Sequence, residues 1–355
     1  MPRVLKYEQI YRSLLAKIDS GEYAPGAAVP SELELAREWG VSRITSRRAL
    51  EMLSESRRVE RRRGKGTFVR ASGEARTVAL IIDHFSASFG SDLLRAIERA
   101  CAVRGVDLLL YCTYGSLDAE NRALERALAA GADGLLLICA QGETYNDSIL
   151  ALALRRFPIV LVDRSMKGLA IPCVMTDNVA AARALTEAML ARGHRRLCFV
   201  THGMMGTSTV DDRYKGFCDA IVNCPGATGA LETLDSYHTT PESVVTEYLD
   251  YDLTDVTALL ERQGDRTAFV CVEHALGTLL ARACRERGID RDIGMFDAPG
   301  GPSALPETRP MILQDEAAMG ARAVESLLRV IAGEAVPMLQ HVPFRLLSAG
   351  DQNPQ

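Results

Sequence analysis

The sequence predicts a small α+β unit of three helices and a β-hairpin, followed by a larger body of two α/β lobes. Three observations lead there. Residues 1–70 hold 15 Lys and Arg against 9 Asp and Glu, a net of +6; the whole chain carries −5, so the remainder carries −11. Within the first part, apolar residues recur at helical spacing as far as Leu53 and then give way to two short β-rich runs around a glycine-rich tip. Beyond residue 76, near-continuous apolar runs alternate with amphipathic stretches, the pattern of parallel sheets covered on both faces by helices.

Composition narrows the classes of function. The chain has 355 residues, 47% apolar and 25% charged, which is enough for two or three domains and excludes disorder as the main state. No apolar run reaches the roughly 18–20 residues that span a bilayer, and the start, MPRVLKYEQIYRSLL, lacks the pattern of a secretory signal. No membrane association and a cytoplasmic, nucleoid-associated location are expected. Nine cysteines are scattered through apolar stretches with no C-x-x-C pair, so buried reduced thiols are expected, and neither a disulfide framework nor a metal site nor a cofactor.

Each element of the front unit follows from local chemistry. Tyr7, Ile10, Tyr11, Leu14, Leu15 and Ile18 form the apolar face of a first helix that Gly21 and Pro25 stop. In VPSELELAREWG, Ser31 stands where an N-cap belongs, with Glu34 completing a capping box. Leu33, Leu35, Ala36 and Trp39 supply the apolar side, and Gly40 ends the helix. Ser42 caps a third helix through Leu53, expected to turn Ile44, Ala49, Leu50 and Leu53 inward and Arg43, Thr45, Arg47 and Arg48 elsewhere. Strands at 59–63 and 67–70 flank Gly64-Lys65-Gly66, which makes a wing. Ten basic and three acidic residues between Arg43 and Arg70 form an electrostatic footprint for a polyanion. A helix, a tight turn and a basic helix followed by a wing is a winged helix-turn-helix.

The motifs Y-x-Q-I, P-S-E-x-x-L-A, V-S-R-x-T-x-R-x-A-L and R-R-x-G-K-G-T-F-V, in this order and spacing, resemble the winged helix-turn-helix of the GntR family of bacterial transcription regulators. The resemblance implies double-stranded operator DNA as a partner. It places the third helix in the major groove, with Ser42, Arg43, Thr45 and Arg47 at bases or phosphates. It also brings Lys65 and Gly66 of the wing to the minor groove and counts Ser31 and Glu32 among the DNA-binding residues, with Glu32 fixing the arginines. An arginine can bond O6 and N7 of one guanine, and a glycine lets backbone approach the duplex closely. Ser46 departs from the family, which usually has an apolar residue there, and is expected to loosen packing of the reading helix. Arg57, Arg58, Arg61, Arg62 and Arg63 read as a mixture of phosphate contacts and solvated charge.

After a linker at 71–76, strands are predicted at 77–82, 106–111, 134–139, 159–162, 197–200, 268–272 and 293–296, separated by helical stretches at 91–104, 119–130, 179–192, 275–287 and 316–332. About 280 residues exceed one comfortable core, so the body, residues 77–355, is read as two lobes. Ligands of such sheets lie beyond the carboxyl ends of the strands. Polar residues stand at those ends: Asp163 and Arg164, Asp177, Glu273, Asp297 and Gln314, with Arg213 in D-D-R-Y-K-G-F. Phe89 is placed to stack on a sugar ring. Two bland readings stay open, with Asp177 as a plain helix cap and Asp163–Arg164 as an internal ion pair. His194 reads as a residue that positions a loop.

The stretches L-V-D-R, V-M-T-D-N-x-x-A-A, R-G-H-R-R-L-C-F-V, R-Y-K-G-F and P-M-I-L-Q-D-E-A-A-M-G resemble the effector domain of the LacI/GalR family, itself related to periplasmic sugar-binding proteins. That resemblance implies a periplasmic-binding-protein-like fold. It also puts Phe89, Asp163, Arg164, Arg213, Glu273, Asp297 and Gln314 at sugar-contact positions, with Asp177 adjacent. Departures are Glu273-His274, where Asn-Asp is usual, and Ala298-Pro299 after Asp297. Together the two resemblances describe a homodimeric repressor of the arabinose-repressor type, not an enzyme, whose operator affinity follows a small sugar between the lobes. Two alternatives are weaker. A regulator fused to a pyridoxal-phosphate aminotransferase domain needs a Schiff-base lysine, and the body offers only Lys167 and Lys215; a transport component needs an export signal.

Overall fold

The computed structural model describes residues 5–55, 58–62, 64–69, 76–86, 88–140, 146–203, 206–234, 251–297 and 309–347. The sequence-predicted roles of Arg57, Arg63 and Arg70, most of the linker, and Ala298-Pro299 lie outside the described residues. The chain divides into two compact units, Met1–Arg76 and Thr77–Gln355.

The first unit contains α1 (Lys6–Asp19), β1 (Ala28–Val29), α2 (Glu32–Trp39), α3 (Arg43–Glu55), β2 (Val59–Arg62) and β3 (Gly66–Val69). The capping box at α2 is complete: the Glu34 amide donates to Ser31 Oγ at 3.3 Å and the Ser31 amide to Glu34 Oε2 at 2.7 Å. Gly40 closes α2 in the left-handed region, with φ 59°, which a residue bearing a Cβ would adopt at a cost. Ile10, Leu14, Leu35, Ala49, Leu50 and Leu53 pack with Val29, Val59 and Val69 into one core, and Trp39 lies partly buried against it. Strands β1, β3 and β2 form an antiparallel sheet in that order, β1 being too short to show in the sequence.

Three expectations here are overturned. Ile44 is 80% exposed. The buried face of α3 is Ser46, Ala49, Leu50 and Leu53, and a residue two places before Ser46 is turned about 200° away from it. Leu33 is likewise 44% exposed. Ser46 does not loosen the helix, because its buried hydroxyl donates to the carbonyls of Glu32, at 2.7 Å, and Arg43, at 3.1 Å. That bond ties α3 to the start of α2.

In the second unit, lobe 1 starts with β4 (Arg76–Ile82), α4 (Ser91–Ala102), β5 (Val106–Cys112), α5 (Leu117–Ala129), β6 (Gly134–Leu137), α6 (Asp147–Leu154), β7 (Ile159–Val162) and β8 (Cys173–Thr176). Lobe 2 follows with α7 (Asn178–Ala191), β9 (Arg196–His202), α8 (Ser208–Val222), β10 (Thr228–Leu234), α9 (Thr254–Gln263), β11 (Ala268–Cys271), α10 (His274–Glu286), β12 (Ile293–Phe296) and β13 (Met311–Gln314). The chain then returns to lobe 1 as α11 (Glu316–Ile331) and β14 (Leu339–Val342) and ends in lobe 2 as β15 (Phe344–Leu347). Sheet orders are β14-β8-β7-β6-β4-β5 and β10-β9-β11-β12-β13-β15; β15 is antiparallel to β13. Strands β6, β7, β8, β11 and β12 are buried along their whole length, as the continuous apolar runs required.

The chain passes between the lobes at three places: after Thr176, after Gln314 and at Pro343. The first two are built alike. Asp177 and Asp315 cap α7 and α11, accepting from the amides of Ala180 at 3.0 Å and Ala318 at 2.8 Å. Beside each, an aspartate follows the neighbouring strand at φ 63°, Asp163 in lobe 1 and Asp297 in lobe 2. Their amides donate to Val174 and Ile312 on the crossing strands, at 2.9 and 2.7 Å.

Helices α7 and α8 approach so closely that a Cβ on Gly216 would lie 2.2 Å from the Val179 carbonyl oxygen. Gly216→Ala should therefore destabilise the protein by about 1–3 kcal/mol through overpacking. Denaturant unfolding checks this, and an unchanged midpoint would refute the close approach.

Candidate functional site

On the first unit, the start of α3 offers polar and cationic groups to solvent. Ser42 Oγ accepts from the Thr45 amide at 3.3 Å and lies 2.9 Å from its hydroxyl, so both side chains are fixed at the first turn. Glu32 stands between Arg43, at 3.9 Å, and Arg61 of β2, at 3.5 Å. Arg47 donates through Nε to Glu51 at 3.0 Å, with Arg48 3.7 Å from the same carboxylate. In the wing, Lys65 and Gly66 are exposed, Gly66 has φ 117°, and Arg62 lies over the Phe68 ring. Ser31 is exposed, but its side chain is engaged in the capping box.

In the second unit, the ends of β4, β7, β11, β12 and β13 bring charged groups together. Arg164 is the hub on the lobe 1 side. Its guanidinium lies 2.9 Å from Asp83 Oδ2, donates to the Cys139 carbonyl at 3.0 Å, and is 3.8 Å from Asp163. Burial works to raise the Asp83 carboxyl, but Arg164 and His84 outweigh it and hold it at about 2. His84 contacts Asp83 through Nδ1; burial lowers that imidazole, and Asp83, with Glu273 from lobe 2, raises it further than burial lowers it. Asp163 is buried and pushed up by that burial, against the pull of Arg164 and Arg213.

Arg213 is the hub on the lobe 2 side. Its Nε donates to Asn178 at 2.8 Å, a terminal nitrogen donates to the Val272 carbonyl at 2.6 Å, and the guanidinium sits 3.9 Å from the Phe296 ring centroid. Asp297, also buried, accepts from Gln314 at 3.1 Å on both oxygens. Burial pushes its carboxyl up to about 7, against Arg213 and Gln314. Glu273 leads into α10 and acts on His84, His202 and Arg213. Four buried polar atoms of this group have no hydrogen-bond partner among the described residues: Asp163 Oδ1, Arg164 Nε, Glu273 Oε1 and Gln314 Oε1.

Of the residues singled out in the sequence, Asp163, Arg164, Arg213, Glu273, Asp297 and Gln314 thus converge. Asp177 does not join them: it caps α7, is 41% exposed, and faces His341 at 3.7 Å. Phe89 is half-buried with its ring against the lobe 1 core, whereas Phe85 on the same loop is 37% exposed. That loop is pinned from the far end of the chain, since Glu316 of α11 accepts from the amides of Gly90 and Leu93, both at 2.9 Å. His194 contacts Asp292 at 2.9 Å at the edge of the lobe 2 sheet. The sequence reading missed Asp83, His84 and Glu316 and named Asn178 only as the neighbour of Asp177. Asp83 and His84 directly follow the first strand of the body, so the strand-end rule that found Asp163 covers them too.

Two family models match the chain. Residues 6–69 match bacterial regulatory proteins of the gntR family, and residues 75–281, more than half of the chain, match the periplasmic binding proteins and sugar binding domain of the LacI family. The chain belongs to the LacI-type sugar-binding family, with a GntR-type head. This member is 27% identical over 358 residues to an arabinose metabolism transcriptional repressor of Geobacillus stearothermophilus, covering 96% of this chain and 95% of that protein. Its fold is shared by the transcription regulator CcpA of Lactococcus lactis, with TM-score 0.63 and 17% identity over 78% of this chain and 98% of that one. It is also shared by a periplasmic binding protein/LacI transcriptional regulator from Alkaliphilus metalliredigens complexed with D-xylulofuranose, with TM-score 0.61 and 18% identity over 77% and 98%.

The buried carboxyls of this LacI-type body give it a pH signature. Asp297 takes up its proton at about 7 when folded, against about 4 for a free carboxyl, so this group makes stability fall as pH rises from about 4 to about 7. Asp83 acts oppositely: its contribution is present above about pH 4 and is lost as pH falls through about 2. Thermal melts from pH 4 to 8 should show a flatter neutral-side decline for Asp297→Asn than for the wild type. Parallel curves would show that Asp297 is not held protonated.

Proposed function

We propose that the chain is a transcription repressor whose grip on double-stranded operator DNA is set by a neutral, hydroxyl-rich sugar bound between its lobes. The observation that carries the ligand half is the set of unpartnered buried atoms at the strand ends. Three of the four, on Asp163, Glu273 and Gln314, are acceptors. A buried polar atom left without a partner costs about 1–3 kcal/mol, and a polyol supplies the hydroxyl donors that would relieve it. The charges argue for a neutral ligand. Arg164 and Arg213 are already engaged by Asp83, Cys139, Asn178 and Val272, so a phosphate or carboxylate would meet Asp163, Glu273 and Asp297 with only the Nε of Arg164 left unpaired on these two cations. Phe85, exposed on the loop after β4, offers an aromatic face there.

Binding between lobes acts through closure. Two contacts already join the lobes outside the charged cluster: the Ser165 amide donates to Ser208 Oγ at 2.9 Å, and Lys167 Nζ lies 2.7 Å from Asp211. A ligand touching both lobes favours the closed state by its differential affinity, and a coupling of about 1–3 kcal/mol corresponds to a change of roughly 5–150-fold in operator affinity. The DNA half rests on the basic first turn of α3 and on the family of the head. Ser42, Arg43, Thr45 and Arg47 would meet bases or phosphates, and Lys65 and Gly66 the minor groove. Glu32 orients Arg43 and Arg61, and Ser31 serves by capping α2. The assembly proposed is a cytoplasmic homodimer with one head per half-site and no catalytic step.

Neutral pentoses and hexoses should raise the melting temperature of the intact protein by mass action, whereas sugar phosphates and sugar acids should not. Arg213→Ala should abolish the shift with operator affinity retained. A shift produced only by anionic sugars would overturn the charge argument. Arg43→Ala should weaken binding to a selected operator by about 1–3 kcal/mol while leaving binding to random duplex nearly unchanged; equal losses on both would mean that Arg43 reads no base.

A further inference from the structure

We propose that Ile44 reads a thymine through its 5-methyl group, so that apolar contact at the centre of the reading surface supplies part of the operator specificity. This rests on the DNA-reading proposal above and names a base that the arginines do not select. The sequence pattern placed Ile44 in the core, and the fold puts it outside, 80% exposed. Solitary bare apolar side chains are common, and Val103 and Val222 are comparably exposed. Ile44 differs in its setting. On an α-helix the residues three and four after lie beside a given side chain, and for Ile44 these are Arg47 and Arg48, both exposed.

An apolar side chain flanked by two guanidiniums does not suit a hydrophobic protein partner, since burying it would desolvate those cations. The major groove suits it. Phosphates on the groove rim meet Arg47 and Arg48, and inside the groove the only apolar group that a base edge presents is the thymine methyl. Ile44 also sits on the first turn of α3, one residue past Arg43, where a reading helix touches base edges. Its β-branch holds χ1 in essentially one rotamer within a helix, so little side-chain freedom is lost on contact.

The test begins by finding the operator. The full-length protein selects its preferred duplex from a random-sequence pool, and each thymine of that duplex is then replaced singly by deoxyuridine, which removes the methyl and keeps base pairing. Wild type should lose roughly fourfold in affinity at one thymine position in each half-site, the equivalent of about 0.8 kcal/mol for one methyl-sized group. Ile44→Ala should bind the thymine and uracil duplexes alike, with an unchanged melting temperature because the side chain packs against nothing in the core. Wild type that binds every uracil duplex as tightly as the parent overturns the assignment, as does a uracil penalty that persists in Ile44→Ala. If no sequence is enriched at all, the DNA-reading proposal itself fails, and that result is distinct from a uracil series without effect.

Discussion

Burying two guanidiniums where two parallel sheets end forces most of what surrounds them. Arg164 and Arg213 are removed from water, and a buried cation without partners would cost far more than the fold could absorb. Each is therefore met by oxygen, from Asp83, Cys139 and Asp163 around the first and from Asn178 and Val272 around the second, with the face of the Phe296 ring against the second guanidinium as well. Three acceptor atoms of this centre, on Asp163, Glu273 and Gln314, have no hydrogen-bond partner among the described residues. The result is a centre rigid in its cations and short of donors at its acceptors, and that imbalance is what a hydroxylated ligand can correct.

The members of the same centre stand beside the crossings between lobes. Asp163 and Asp297 bond through their amides to the strands that lead into the first two crossings, and Asp177 and Asp315 cap the helices that leave them. A ligand that shifts the strand-end aspartates acts on backbone segments shared by both lobes. Glu316, one residue beyond the second crossing, holds the Gly90 and Leu93 amides and with them the aromatic loop of lobe 1. The strand-end aspartates, the crossings and the loop after β4 are thus joined by hydrogen bonds. Only their difference between open and closed states does work on a second site.

The head solves a different problem, that of presenting cations without letting them wander. Glu32 and Glu51 sit among Arg43, Arg61, Arg47 and Arg48, and the Ser46 hydroxyl bridges the starts of α2 and α3. Exposed ion pairs of this kind contribute little stability, so their consequence is orientation. Ser46 replaces the apolar contact expected there with two hydrogen bonds that fix the reading helix by direction as well as by fit.

Local sequence chemistry sufficed for the three helices and hairpin of the head, for the longer strands and helices of the body and for most strand-end residues, but not for β1, β8, β10, β14 and β15 or for α6, α8 and α9. The Ser31–Glu34 box, the Gly40 stop, the buried runs of β7 and β12 and the polar pairs after them depend on neighbours within a few positions, and periodicity records such neighbours. It sufficed equally for separating a cationic front from an anionic body. Only the tertiary structure decided which of those polar residues meet. Asp177 and Asp163 look alike in the sequence, yet one is used as a cap and the other faces Arg213 across the lobes. Ile44 lay outside because Ser46 claimed the inner face through a partner fourteen residues away. Glu316 acts on α4 because the chain re-enters lobe 1 only after all of lobe 2 has been built. Each of these outcomes is set by contacts between segments far apart in the chain, and no local pattern carries them.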